Sequence, residues 1–197
     1  MSTLMVEPEI EVGAKPQRRR FTVDEFQRMG EAGIFAPEER VELISGEVFR
    51  MSPTGPRHTS AVIHLTRYLT RLLGNDLLLS VQCPMQVGAE QLVPDFAVLR
   101  PRNYRNLLPQ PSDCVLLVEV AEWSIEFDTK SKARRYAMAN IAEDWVLDLP
   151  GNRVLVHRGP EAGGYREVAP HPRGSSFTSP ALGGATIRVD DLLAGGA

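Results

Sequence analysis

Two carboxylates and one ammonium are spaced so that they could act together. Asp95 follows Pro94 at the head of Phe96-Ala97-Val98-Leu99, Glu119 lies inside the apolar run Val115–Val120, and Lys132 follows in Asp128-Thr129-Lys130-Ser131-Lys132. A short apolar run bounded by turn residues reads as a core strand, where a charge is costly unless a cation or strong hydrogen bonds compensate it. That makes Glu119 a candidate functional residue. A hard divalent cation such as Mg²⁺ takes oxygen ligands, commonly one or two protein carboxylates with water and substrate phosphate. Asp95 and Glu119 could be those two, because their separation of 24 residues (119 − 95) leaves room for a strand, a loop and a neighbouring strand. Lys132 and Tyr136 stand at i and i+4 on one helix face, whereas Lys130 is about 200° round the helix from Lys132. With Tyr136 inward, Lys132 points to the sheet edge, where an ammonium can neutralise two carboxylates and position a water or a transition-state oxygen. Spacing alone equally admits a structural reading, with Asp95 a turn residue, Glu119–Lys132 a partly buried ion pair and no metal.

The elements that must position these groups follow from pattern. Residues 1–20 lack hydrophobic periodicity, end in Gln17-Arg18-Arg19-Arg20 and read as a flexible tail; 21–193 read as one domain and 194–197 as a short C-terminal tail. Thr22-Val23-Asp24-Glu25 is a capping box, stapled by Phe21 and Phe26, that opens a short helix to about Met29. Arg40–Met51 predicts a β-hairpin turning at Ser45-Gly46, with Glu42 and Ile44 on the face opposite Val41 and Leu43. The loop Ser52–Pro56 delivers His58 to a helix with Val62, Leu65, Leu69, Leu72 and Leu73 at helical spacing, closed by Gly74-Asn75.

Leu77–Val87 and Leu92–Leu99 read as paired strands across Gly88–Gln91, with Pro94 at an edge, a strand start or a bulge that aims Asp95 outward. Arg100–Pro111 is long enough to be a functional flap. A helix capped by Asp128 or Thr129 runs to about Ile141 with Ala133, Tyr136, Ala137 and Asn140 inward. Strands Trp145–Leu149 and Arg153–Arg158 flank the turn Pro150-Gly151-Asn152; a polar stretch then leads to Ala185–Val189.

A hydrophobic fraction of 43% with 24% charged residues excludes a disordered chain, and no apolar run approaches the roughly 18 residues of a membrane helix. Glu7, Glu9 and Glu11, without an apolar core, predict no secretory signal and a cytoplasmic protein. Cys83 and Cys114 lack C-x-x-C spacing and read as buried thiols. A net charge of −3 leaves room for DNA, since phosphate contacts need only a local basic patch. Asp148 reads as a turn residue, His64 and His157 as packing or surface residues and His171 as a loop residue. Ser52, Ser124 and the cysteines have no base at triad spacing. Nothing calls for an organic cofactor.

Glu42-Leu-Ile-Ser-Gly-Glu47, Met51-Ser52-Pro53 followed by His58, Pro94-Asp95, Val118-Glu119-Val120, Asp128, Lys132-x-x-x-Tyr136 and Trp145-Val-Leu-Asp148 together resemble the bacterial Uma-type restriction-endonuclease family, within the PD-(D/E)XK nuclease superfamily. The resemblance spans roughly Phe21 to Leu193. It implies an α/β restriction-endonuclease-like core, a mixed central β-sheet flanked by helices. It further implies that Asp95 and Glu119 are the acidic metal ligands for Mg²⁺ or Mn²⁺, that the Val120 backbone carbonyl is a further ligand, and that Lys132 is a lysine migrated onto the helix. Glu42 and His58 fall on family-signature positions, as a supporting metal or water ligand and as a phosphate or loop contact, with plain structural roles open for both. Position 121 is Ala where the superfamily pattern has lysine, and Ala121-Glu122-Trp123-Ser124-Ile125 replaces a small, proline-containing segment.

The expectation is a metal-dependent endonuclease hydrolysing DNA phosphodiester bonds. Arg100, Arg102 and Arg105 in the long loop and Arg134 or Arg135 on the helix would be the phosphate contacts. Two copies would serve duplex cleavage, predicting a homodimer. The alternative is a non-catalytic nucleic-acid- or protein-binding module that keeps the fold.

Overall fold

The computed structural model of the protein describes residues 17–193. Its first helix, α1 (Val23–Glu31), has both halves of the predicted capping box: the Glu25 N–H donates to Thr22 Oγ1 at 3.2 Å and the Thr22 N–H to Glu25 Oε2 at 3.0 Å. Strands β1 (Val41–Ile44) and β2 (Glu47–Arg50) form the predicted hairpin, with positive φ at Ser45 (52°) and Gly46 (76°) as its two-residue turn requires. The last residues of the expected tail are tied down, since Arg18 pairs with Glu47, Arg19 with Glu25, and Arg20 donates to the Ser45 carbonyl. The rest of that tail and residues 194–197 lie outside the described residues.

Helix α2 (Pro56–Leu73) follows, with Pro56 at its first position and Gly55 before it. Next come β3 (Leu78–Val81), β4 (Met85–Val87), β5 (Glu90–Leu92), β6 (Phe96–Leu99) and β7 (Cys114–Ala121). The two strands expected here are four. β4 turns through Gly88-Ala89 into β5 and joins the hairpin in one sheet ordered β2-β1-β5-β4, while β3 pairs with β6 in another. Pro94, with no N–H to donate, sits in the crossing between the two sheets just before β6, and the ladder irregularity falls at Val98/Leu99 instead.

A π-helical segment, Phe127–Lys132, runs into α3 (Ala133–Met138). α3 stops before Ile141 because Asn140 adopts φ 62°, and Asn140 is exposed rather than on the inner stripe. Strands β8 (Glu143–Asp148), β9 (Arg153–Glu161) and β10 (Gly164–Pro172) complete a six-stranded sheet ordered β10-β9-β8-β7-β6-β3, mixed because only β7 and β8 run parallel. The stretch read as merely polar is an edge strand with one wet face, where Pro170 and Pro172 are tolerated, and His171 lies on it rather than in a loop. β11 (Ser176–Ser179) pairs with β12 (Ala185–Arg188), and α4 (Val189–Leu193) closes the described chain.

Strand alternation sends side chains of the six-stranded sheet to two cores. Phe96, Val98, Leu116, Val118, Trp145 and Leu147 pack with Ala61, Leu65, Leu69 and Leu73 of α2; Ala97, Leu99, Cys114 and Leu117 pack with Tyr136 of α3 and with Ile44, Met85 and Leu92 of the smaller sheet. Asp95 and Glu119 share the second face, one residue before Ala97's neighbour Phe96 and two beyond Leu117. Below them Asp144 and His157 form a fully buried pair at 2.7 Å stacked against Tyr165. Cys114 is buried, its thiol pushed up to about 12 by desolvation, but Cys83 is exposed, contrary to expectation. Among the described residues no helix is long and apolar enough to cross a membrane.

Candidate metal and catalytic site

Three elements converge where β6 and β7 meet the hairpin. Phe96 pairs with Val118, so Asp95 and Glu119 stand side by side at the next step of the ladder, and the Asp95 N–H donates to Glu119 Oε2 at 3.2 Å. Lys132 arrives from the π-helical segment. Its Nζ lies 3.2 Å from both Glu119 Oε1 and Glu42 Oε1. Tyr136, one turn on, donates its hydroxyl to Glu119 Oε1 at 2.6 Å, which fixes the carboxylate's rotamer. π-bulges recur at functional sites, and this one helps place two side chains of a single face on one carboxylate.

Glu42 points across the sheets as the hairpin alternation predicts. Its Oε1 accepts from the Val93 N–H at 3.1 Å, and its Oε2 is buried without a hydrogen-bond partner. Asp95 Oδ2 accepts from the Val120 N–H at 2.9 Å and meets His58 Nε2 at 3.1 Å, while Gln82 donates to Oδ1 at 3.0 Å. His58 sits in the first turn of α2, where its own N–H donates to Glu122 Oε2 at 3.3 Å. That contact explains Gly55: a Cβ there would come within 2.7 Å of the same oxygen. Asp128, a candidate helix cap and one of the residues that carry the family resemblance, is buried and accepts from the Ser124 hydroxyl.

All of these groups except Gln82 and Tyr136 line one cavity of about 350 Å³. Glu42, Asp95, Glu119, Glu122 and Asp128 face Lys132, Arg40 and Arg50 there, so carboxylates outnumber permanent cations. The titration directions follow. Burial raises Asp95, but the hydrogen bond and charge of His58, with Gln82 and the Val120 N–H, hold its carboxyl below the usual range. Burial pushes Glu119 well above it, opposed by Lys132 and reinforced by Asp128 and Asp95. Burial works against the Lys132 charge, yet Glu119, Glu42, Asp128 and Asp95 hold the ammonium above its ordinary value. Asp128 is raised to about 6, chiefly by burial, against the Lys132 charge and the Ser124 hydrogen bond.

The Asp128 shift gives a stability prediction. Because its folded-state value lies above the ordinary 3.8, the folding advantage is present below that value and is lost as pH rises through about 6. Asp128→Asn, which stays neutral, should match wild type near pH 4 and exceed it at pH 8 by roughly 2 to 3 kcal/mol in EDTA, measured by urea unfolding.

The structure brings Asp95, Glu119, Lys132, Glu42 and His58 together. It does not bring the expected arginines. Arg100 follows the far end of β6, roughly 15 Å along the strand from Asp95, and its guanidinium is spent on the Ser112 and Cys114 carbonyls. Arg102 pairs with Asp113 in the same loop at 2.8 Å, and Arg105 lies there too. Arg135 pairs with Glu90 at 2.9 Å, and with Arg134 it lines a separate cavity beside Gly88 and Met138. The arginines of the carboxylate cavity are Arg40 and Arg50, at the open end of the hairpin. Sequence reading located that hairpin, and following its ends would have found them. Gln82 carried no such signal, since it depends on a left-handed φ of 49° between β3 and Pro84. Asp148 does serve its turn, accepting from the Gly151 N–H at 2.9 Å and from Arg153 at 2.8 Å, and His64 bonds the Asp191 carbonyl.

The sequence profile of the Uma2 family, described as "Putative restriction endonuclease", matches residues 23–190. Among solved structures, the chain is similar to one described as a "putative nuclease belonging to DUF820" from Anabaena variabilis, at 14% identity with a TM-score of 0.73, covering 90% of this chain and 99% of that one. It also matches the type IIG restriction endonuclease BpuSI at 15% identity and a TM-score of 0.43, over 73% of this chain and 17% of that one. No curated protein matches the sequence. The family match and the Anabaena structure, together with the mixed sheet flanked by helices, make the fold restriction-endonuclease-like.

Proposed function

The chain belongs to the Uma2 family, and from that premise we propose that it is an endonuclease hydrolysing DNA phosphodiester bonds with Mg²⁺ or Mn²⁺ as its cofactor. The observation that carries the proposal is the set of Asp95, Glu119 and Lys132 on one cavity, the two acids on adjacent strands and the ammonium 3.2 Å from one of them. The donor chemistry supports a hard cation, since the site offers a carbonyl and more carboxyl side chains than lysines and arginines, and contains the unpartnered Glu42 Oε2. Asp95, Glu119 and the Val120 carbonyl would hold the ion. When bound, it would supply Lewis-acid polarisation of the phosphate and a water acidified toward neutral pH.

The chain's own residues do the rest. His58 and Gln82 fix the two oxygens of Asp95, and Tyr136 and the Asp95 N–H fix those of Glu119, an outer shell of the kind that orients ligands. Lys132 presents its ammonium to the attacking water or to the charge that develops on the phosphate. Arg40 and Arg50 bind the strand's phosphates at the cavity mouth. We place the protein in the cytoplasm with its DNA, and assign cutting of both strands of a locally opened duplex to a homodimer with one strand at each site.

A second reading, a binding module without catalysis, is favoured by two observations. The Asp95 and Glu119 oxygens already accept protein hydrogen bonds, and among the described residues no three His, Cys, Asp or Glu side chains are arranged around one metal position. Calorimetric titration with Mn²⁺ separates the two. Saturable binding that is weakened in Glu119→Gln supports the nuclease; no binding by wild type, with DNA affinity unchanged by metal, supports the module. The arginine assignment is tested in EDTA by DNA affinity against salt. Replacing Arg40 and Arg50 by Ala should lower the log–log slope by about 2, whereas Arg100→Ala should leave it unchanged.

A further inference from the structure

The cavity's rim carries an aromatic that folding does not use. Trp123, four residues beyond Glu119, is 81% exposed, the most exposed of the large apolar side chains in the described chain, and it makes no ring or cation–π contact among the described residues. It nevertheless lines the same cavity as Asp95, Glu119 and Lys132, together with Phe49, which is 42% exposed. Four residues of chain span at most roughly 14 Å between Cα atoms, and the indole opens on the same cavity as the carboxylates.

The groups that would act on phosphate are themselves deep. Asp95, Glu119 and Lys132 are each at most 6% exposed, so a scissile phosphate must enter the cavity to meet them. A volume of about 350 Å³ sits at the small end of ligand pockets and suits one nucleotide rather than the width of a duplex. In an intact duplex the face of each base is covered by its stacked neighbours, so a free indole gains a partner only where a base is unpaired or turned out of the stack. Charge agrees with such a ligand. Arg50 lies on the same wall with its side chain 76% exposed and only a 3.7 Å ion pair to Glu39, and Arg40 beside it makes no ion pair among the described residues, so the two offer cations to phosphates on either side of the stacked base.

We propose that Trp123, with Phe49, is the stacking platform for an unpaired nucleobase, and that the cavity takes a single-stranded or locally opened DNA strand. This rests on the nuclease reading and names its substrate class. Trp123 is a binding residue in this account, positioning the strand so that its phosphate reaches Asp95 and Glu119.

The test uses indole fluorescence in EDTA, where cleavage does not intervene. The chain has two tryptophans, and Trp145 is fully buried against Phe177, so the difference between wild type and Trp123→Phe isolates Trp123. A thymidine oligonucleotide should quench that signal, and the same length of duplex should bind more weakly. Trp123→Ala should weaken single-strand binding by roughly 5- to 150-fold, while Trp123→Phe keeps most of it, with circular dichroism unchanged in both. Equal affinity for single strand and duplex, indifferent to Trp123→Ala, overturns the inference and leaves the nuclease reading standing if metal-dependent nicking is observed. Failure to bind either DNA, with no cleavage under any metal, overturns both. Loss of a dimer on Trp123→Ala, seen by sedimentation without a change in DNA affinity, overturns the inference by assigning the indole to a second copy of the chain.

Discussion

Replacing Lys132 with methionine should lower folding stability by about 3 to 5 kcal/mol at pH 8 and abolish cleavage. The size comes from what is left behind. Lys132 is buried between Glu42 and Glu119 at 3.2 Å from each, and taking one partner out of a buried ion pair strands the others in a medium that does not solvate them. Methionine keeps the stem's packing, so the loss reports charge rather than a cavity. Glu119 is already held well above the carboxylate range by burial, and loses its main opposing cation in the variant. Its folded-state value therefore rises further, the protonated form is favoured by folding, and the deficit should shrink as pH is lowered toward 5. Adding Glu119→Gln and Glu42→Gln to Lys132→Met should restore most of the stability and none of the activity. A loss below about 1 kcal/mol in urea unfolding at pH 8 would mean that the cluster is hydrated and that the lysine is not the linchpin assigned here.

Asp95→Asn should cost less stability but as much function, with Mn²⁺ affinity reduced at least about 100-fold and cleavage on the order of 10³-fold. The amide keeps the shape and can still accept from the Val120 N–H, but it carries no charge for His58 or for a cation. Because the Asp95 carboxyl is held below its usual range, its ionised form stabilises the fold. That contribution is present above the ordinary aspartate value and is lost as pH falls through the lower folded-state one. Wild type and Asp95→Asn should therefore differ in unfolding free energy at pH 7 and begin to converge only below about pH 4. A variant that binds Mn²⁺ as wild type does would remove Asp95 from the ligand set.

Much of this arrangement was legible in the sequence because it rests on periodicity. The i, i+4 relation of Lys132 and Tyr136 put both on one face, and both touch Glu119. Alternation in the hairpin put Glu42 on the face opposite Val41 and Leu43; those two pack with α1, and Glu42 on the other side meets that lysine. Glu119 stood out because a carboxylate amid Val and Leu demands compensation. What was missed depends on contacts without local signatures. The break at Pro84 that sends β4 and β5 into a second sheet is a tertiary choice, and Gln82 reaches Asp95 only because of it. The arginines were misplaced for a topological reason, since a loop that follows β6 opens at the end of the sheet opposite the residue that precedes it. Trp123 belongs to a short irregular segment in which the sequence showed a departure from the family pattern but no direction for the side chain.

The most direct test of the central claim is cleavage of supercoiled plasmid by wild type and Glu119→Gln in Mg²⁺, Mn²⁺ or EDTA. Wild type should nick the plasmid in at least one of the metals and not in EDTA, and the variant should not nick it under any condition. Plasmid left intact by wild type in every metal, while a gel shift persists in EDTA, would contradict catalysis; nicking undiminished in Glu119→Gln would contradict the site.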